Sequence, residues 1–131
     1  MSADDLTGVW HGLYTYPARG TRVLFDATLI DSAGLLSGST HEIAGSGPAR
    51  GQMIFAVLEG QRRGSAVAFR KTYDAGIPNY GAPIAYEGTL SADGTEIEGR
   101  WSISLDWSGK FLMIRSTGKE QAVERKAFER I

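Results

Sequence analysis

Along the start of the chain, every second position is an aromatic residue or a glycine, and the positions between mix apolar with polar residues. Gly8, Trp10, Gly12, Tyr14 and Tyr16 share one parity, while Val9, His11, Leu13 and Thr15 share the other. That is the two-residue period of a β-strand, whose side chains point to opposite faces in turn. The same rhythm, interrupted by turn residues, predicts eight strands over 7–16, 21–31, 35–42, 52–59, 65–73, 84–91, 95–104 and 109–115. Asp31-Ser32-Ala33-Gly34 and Ser91-Ala92-Asp93-Gly94 place glycine where a tight hairpin needs positive φ, and Gly60-Gln61-Arg62-Arg63-Gly64 sets two glycines around a short loop.

No stretch before residue 118 carries a helical period, so nothing supplies the crossovers that parallel strands need. Sequential antiparallel pairing follows. Eight such strands either stack in two layers or close on themselves, and closure alone removes both exposed edges. The expected fold class is therefore all-β, an eight-stranded antiparallel up-and-down β-barrel. An internal echo supports it: Thr28-Leu29 leads to Leu36-Ser37-Gly38 and Thr89-Leu90 to Ile97-Glu98-Gly99, with equal Thr-to-Gly spacing, as in two hairpins of equal geometry. Residues 119–131 lack Gly and Pro and carry Val123, Ala127 and Ile131 at helical spacing beside Phe128, which predicts a short C-terminal helix strapped on the barrel wall.

With 131 residues, the chain is expected to form a single domain, 1–131. Hydrophobic residues at 42% suffice for a core, and 17 glycines scattered between strands suit serial turns. A formal net charge of -1 without a run of one sign gives no electrostatic reason to expect nucleic acid or a membrane as partner. Cysteine is absent, which excludes disulfides, thiolate metal sites and cysteine nucleophiles. The start of the chain has no signal-like stretch, so a cytoplasmic location is expected.

Strand parity also sorts the side chains. The face holding Trp10, Gly12, Tyr14 and Tyr16 alternates large with small residues, as a narrow barrel interior requires. Extending that parity brings inward Phe25, Ala27, Leu29, Leu36, Gly38, Thr40 and Glu42. Later strands add Phe69, Lys71, Tyr73, Tyr86, Gly88, Leu90, Ile97, Gly99 and Trp101. One end should be dry, around Trp10, Phe25 and Leu36, and the other polar, around Tyr16, Glu42, Lys71 and Tyr73. Buried Glu42 and Lys71 must pair, reach solvent or meet a ligand, because an unpaired charge in the interior costs several kcal/mol.

Leu6-Thr7-Gly8-Val9-Trp10 opening the first strand, the glycine-rich turns and Trp101 late in the seventh resemble avidin and streptavidin, and more broadly the calycin barrels that include lipocalins. The resemblance implies a barrel with an internal pocket. It implies no biotin site. The avidin type binds biotin through an Asn two residues after the first Trp and a Tyr and Ser on the third strand, where this chain has Gly12, Thr40 and Glu42. Trp101 matches one aromatic wall position.

Motifs for nucleotide binding, zinc proteases and triad hydrolases are missing. His11 and His41 are expected on the outer face without converging, so neither a metal nor a cofactor is expected. Arg62-Arg63 reads as solvated turn charge, and Trp107 as a residue closing the barrel end or supporting an oligomer contact. Three functions follow. The first is a binder of a small, partly apolar molecule, its site lined by Tyr14, Tyr16, Glu42, Lys71, Tyr73, Tyr86 and Trp101. The second is an isomerase or hydrolase using Glu42 as general acid or base in the same cup. The third is an assembly module filled by its own aromatics, which self-associates as a homo-oligomer.

Overall fold

A computed structural model describes residues 5–17, 22–45, 48–74, 81–104 and 107–116. The predicted terminal helix over 119–131 lies outside them. Eight strands run in order: β1 (Gly8–Thr15), β2 (Arg22–Ser32), β3 (Leu35–Ile43), β4 (Met53–Arg63), β5 (Ala66–Tyr73), β6 (Ile84–Leu90), β7 (Glu96–Ser104) and β8 (Trp107–Arg115). Each pairs antiparallel with the next, and β1 pairs with β8 to close the barrel. All-β closure is thus the architecture, compatible with a calycin-like fold.

The alternating side chains explain the burial. Along β2, Val23, Phe25, Ala27 and Leu29 are buried and the intervening positions are open, and β4 repeats this with Ile54, Ala56 and Leu58. The inward residues merge into one core running from Leu6 and Trp10 to Phe69, Tyr86 and Trp101. Filling a barrel this narrow with rings demands gaps opposite them. Gly88 faces Gly99 across β6 and β7, where a Cβ on Gly99 would lie 1.9 Å from the Glu87 carbonyl oxygen. Only glycine lets the two backbones approach so closely.

Three expectations need correction. Gly60 is not a turn residue: β4 runs on to Arg63, the turn is Gly64-Ser65, and Gly60 sits inside the strand, pressed on the backbone of Ala68 and Phe69. The two echoing hairpins differ in geometry. Ser32 pairs with Leu35 around a two-residue turn, Ala33 and Gly34, both at positive φ, whereas β6 and β7 are joined by the five residues 91–95, held by Ser91 and Thr95 on the Asp93 carboxylate. Gly38 and Gly99 nevertheless do the same work, each replacing a side chain that would strike a neighbouring carbonyl. Thirdly, Arg62 is not a solvated charge but part of the plug at the barrel's closed end.

That end is where β1 begins and β2 finishes. Leu6 is fully buried there, its carbonyl accepting from Trp10 Nε1 at 2.9 Å. The Arg115 guanidinium lies 4.5 Å over the Trp10 ring and donates to the carbonyls of Asp5, Thr7 and Gly94. Asp31 accepts from the Leu6 and Gly34 N–H groups and from Arg62 Nε at 2.9 Å. Three connections are thereby tied across one opening, which closes the interior at that end.

Candidate functional site

At the other end, four inward side chains from three strands meet. Tyr14 comes late in β1, Glu42 late in β3, and Lys71 and Tyr73 late in β5. Antiparallel order brings those strand ends to one rim. Lys71 Nζ donates to Glu42 Oε1 at 2.7 Å, Tyr73 OH donates to the same oxygen at 2.8 Å, and Tyr14 OH donates to Oε2 at 2.5 Å. Glu42 is 3% exposed and Lys71 0%. The pairing anticipated for these two residues is therefore direct and dry.

The ammonium is enclosed by rings. Phe25, Tyr73, Tyr14 and Tyr86 have centroids 4.7, 4.9, 5.0 and 5.7 Å from Lys71 Nζ. Their electron-rich faces offset part of the hydration that Lys71 gives up. Burial pulls the Lys71 pKa below the ordinary lysine range, against the opposing pull of Glu42. Burial first, and then the Glu42 charge, raise the Tyr14 and Tyr73 phenols far above their ordinary value, and Tyr86 follows for the same reasons. Tyr14 and Tyr73 are thus held protonated, as donors to the Glu42 carboxylate. Charge within the cluster sums to zero, one carboxylate against one ammonium.

Outward from the cluster the wall is aromatic. Tyr16 lies edge-on to Tyr14 at 5.7 Å and to Trp101 at 6.0 Å, and Trp107 lies against both Tyr16 and Trp101. Trp101 is held by its indole N–H on the Thr15 carbonyl at 2.9 Å. Trp107, 43% exposed, completes this rim. Beyond β3, the turn at 48–51 folds inward, packing Ala44 and Ala49 against Ile54, Ala56 and Tyr73. Tyr86 lies deeper, stacked on Phe69 at 4.9 Å.

All seven residues anticipated for the site stand in this half of the barrel. Two others were missed. Phe25 was assigned to the dry end, yet it pairs with both Gly12 and Glu42 and lies against Lys71. The error is one of register: β2 starts at the end opposite the plug, so its early residues sit near that rim. Thr40 is the second, 2% exposed between Ala27 and Ala56, its hydroxyl without a hydrogen-bond partner among the described residues. Parity alone marked it as inward, and only the structure shows its polar atom unmatched.

The histidines also depart from expectation. They do lie on the outer face, but they converge on Asp26: His11 Nδ1 is 2.6 Å from one oxygen and His41 Nε2 3.3 Å from the other. Register places Asp26 between them, opposite His11 on β1 and His41 on β3. Among the described residues no group of three or more His, Asp or Glu is arranged to hold a metal ion.

Neither protein-family models nor curated proteins yield a match to this chain.

Proposed function

We propose that the barrel binds a small, partly apolar molecule of no net charge at its open end, without transforming it. The observation that carries this reading is the dry Glu42–Lys71 pair with its two phenol donors. Such a pair is a poor way to stabilise a core: apolar residues of similar volume are usually as good or better, by roughly 1–4 kcal/mol. Fixed polar groups set among aromatic walls are instead what orients a ligand in an apolar pocket. Because carboxylate and ammonium cancel, a charged ligand would leave one charge unmatched, which favours a neutral one.

Catalysis by Glu42 is supported less well. Its carboxylate has about four acceptor positions, and three are filled by Lys71, Tyr14 and Tyr73. Little capacity is left for taking a proton from a substrate. The resemblance to calycin barrels supports an internal pocket, and the substitutions at Gly12 and Glu42 support a ligand other than biotin.

Native mass spectrometry of protein purified from its source tests the reading directly, and a co-purifying neutral small molecule is the expected result. Affinity for that molecule should fall about tenfold or more in Tyr14→Phe or Trp101→Ala. A preparation free of small molecules whose melting temperature is unmoved by neutral aromatic and aliphatic compounds would overturn the proposal. Turnover that disappears in Glu42→Gln would move the protein to the enzyme class.

A further inference from the structure

The outer wall formed by β2, β3 and β4 carries most of the exposed large apolar side chains of the described residues. Leu24, Ile43, Met53, Phe55 and Val57 are 38, 52, 48, 52 and 50% exposed. The strand register makes them contiguous. Ile43 faces Met53, His41 faces Phe55 and Ser39 faces Val57, while Leu24 adjoins Ile43 because the next pair inward is Phe25 with Glu42. Among these residues the one carboxylate, Asp26, is engaged by His11 and His41, and the other charged outward side chains of the wall, Arg22, Glu59 and Arg63, border the patch. The opposite wall differs: its outward positions include Arg70, Glu87, Glu98, Arg100 and Lys110, all exposed. Val9, Ile103 and Trp107 are exposed elsewhere but are not part of this contiguous set, and a contiguous exposed patch of several hundred Å² marks a contact surface.

We infer that this wall is the face of a homodimer, with a second copy of the same chain as its occupant. The barrel is closed, so β2, β3 and β4 have neighbours on both sides, and no edge there can accept an added peptide strand. A convex wall also gives a lone helix no groove to lie in. The partner must bring a matching apolar surface of its own, and a two-fold contact supplies one by setting the face against itself. Its size suits a modest interface: the exposed parts of Leu24, Ile43, Met53, Phe55 and Val57, with Ser39 and His41 between them, come to several hundred Å² per partner, at the small end of specific contacts. The charged side chains bordering the patch, Arg22, Glu59 and Arg63, are of both signs, so a two-fold contact is not built on one repelling charge type.

Sedimentation equilibrium on the full chain at micromolar concentration tests this, with far-ultraviolet circular dichroism to verify folding. The wild type should have the mass of two chains. Phe55→Glu and Val57→Lys, each at a solvent-facing position, should shift it to one chain by weakening association at least a hundredfold, and Lys110→Glu on the opposite wall should leave the dimer intact. A single-chain mass for the wild type, a dimer surviving both substitutions, a dimer lost in Lys110→Glu, or co-flotation of the wild type with lipid vesicles would each overturn the inference.

Discussion

The ring of Phe25 occupies the space in which a side chain on Gly12 would begin. A Cβ placed on Gly12 would lie 2.2 Å from Phe25 Cζ. This contact across β1 and β2 seats the ring within 4.7 Å of the Lys71 ammonium. The missing side chain on β1 is thus a condition for the aromatic enclosure of the charge.

Gly12→Ala should therefore destabilise the protein by about 1–3 kcal/mol through overpacking. Adding Phe25→Leu should recover part of that loss by removing the ring's far edge. Urea denaturation of the two single variants and the double variant measures both quantities, and a Gly12→Ala protein as stable as the wild type would show that the core has room there.

Breaking the interior ion pair from one side should cost far more than removing it whole. Lys71→Met leaves Glu42 buried without its counter-charge, and a loss of about 3–5 kcal/mol is expected. The double variant Glu42→Gln with Lys71→Met leaves no charge and should be the more stable of the two. A double-mutant cycle read by urea denaturation gives the coupling. Additivity of the two changes would mean that the pair acts as two independent residues.

Alkali should unfold the protein through its phenols. Tyr14, Tyr73 and Tyr86 have pKa values raised by burial above the ordinary 10.0, so the folded state holds protons that the unfolded state releases. The stability they contribute is complete below pH 10.0 and is lost as the pH rises beyond it. Absorbance at the phenolate band should show these three phenols ionising only together with the loss of tertiary structure. Their independent ionisation in a folded barrel would contradict the buried network.

At the closed end the sign is reversed. Burial works to raise the Asp31 pKa, but hydrogen bonds from the Leu6 N–H, Arg62 and the Gly34 N–H outweigh it, and the net shift is below 3.8. The contribution of Asp31 is present above pH 3.8 and fades as the pH falls through the lowered value. Asp31→Asn should be less stable than the wild type at neutral pH, and the gap should narrow in acid. A gap that does not vary with pH would mean that the carboxylate charge is irrelevant to the plug.

The parts of this structure that follow from local rules could be read in the sequence. Strand positions matched closely because alternation and turn chemistry are properties of neighbouring residues, and parity correctly turned Tyr14, Glu42, Lys71 and Tyr73 inward. What escaped depends on how strands slide past each other. Phe25 was placed at the wrong end, and the convergence of His11 and His41 on Asp26 was missed, because each depends on a pairing between separate strands. Gly60 misled for a related reason: its absent side chain makes room for β5 and does not mark a turn.

The seam between β1 and β8 sets the order of assembly during synthesis. Every other pairing joins strands adjacent in the chain, but Gly12 meets Met113 across a hundred residues. A chain emerging from the ribosome can zip hairpin by hairpin, yet until β8 appears it carries two raw strand edges and an open, ring-lined trough. Such an intermediate is prone to pair with its neighbours, so yield on expression should depend on how quickly the last strand arrives.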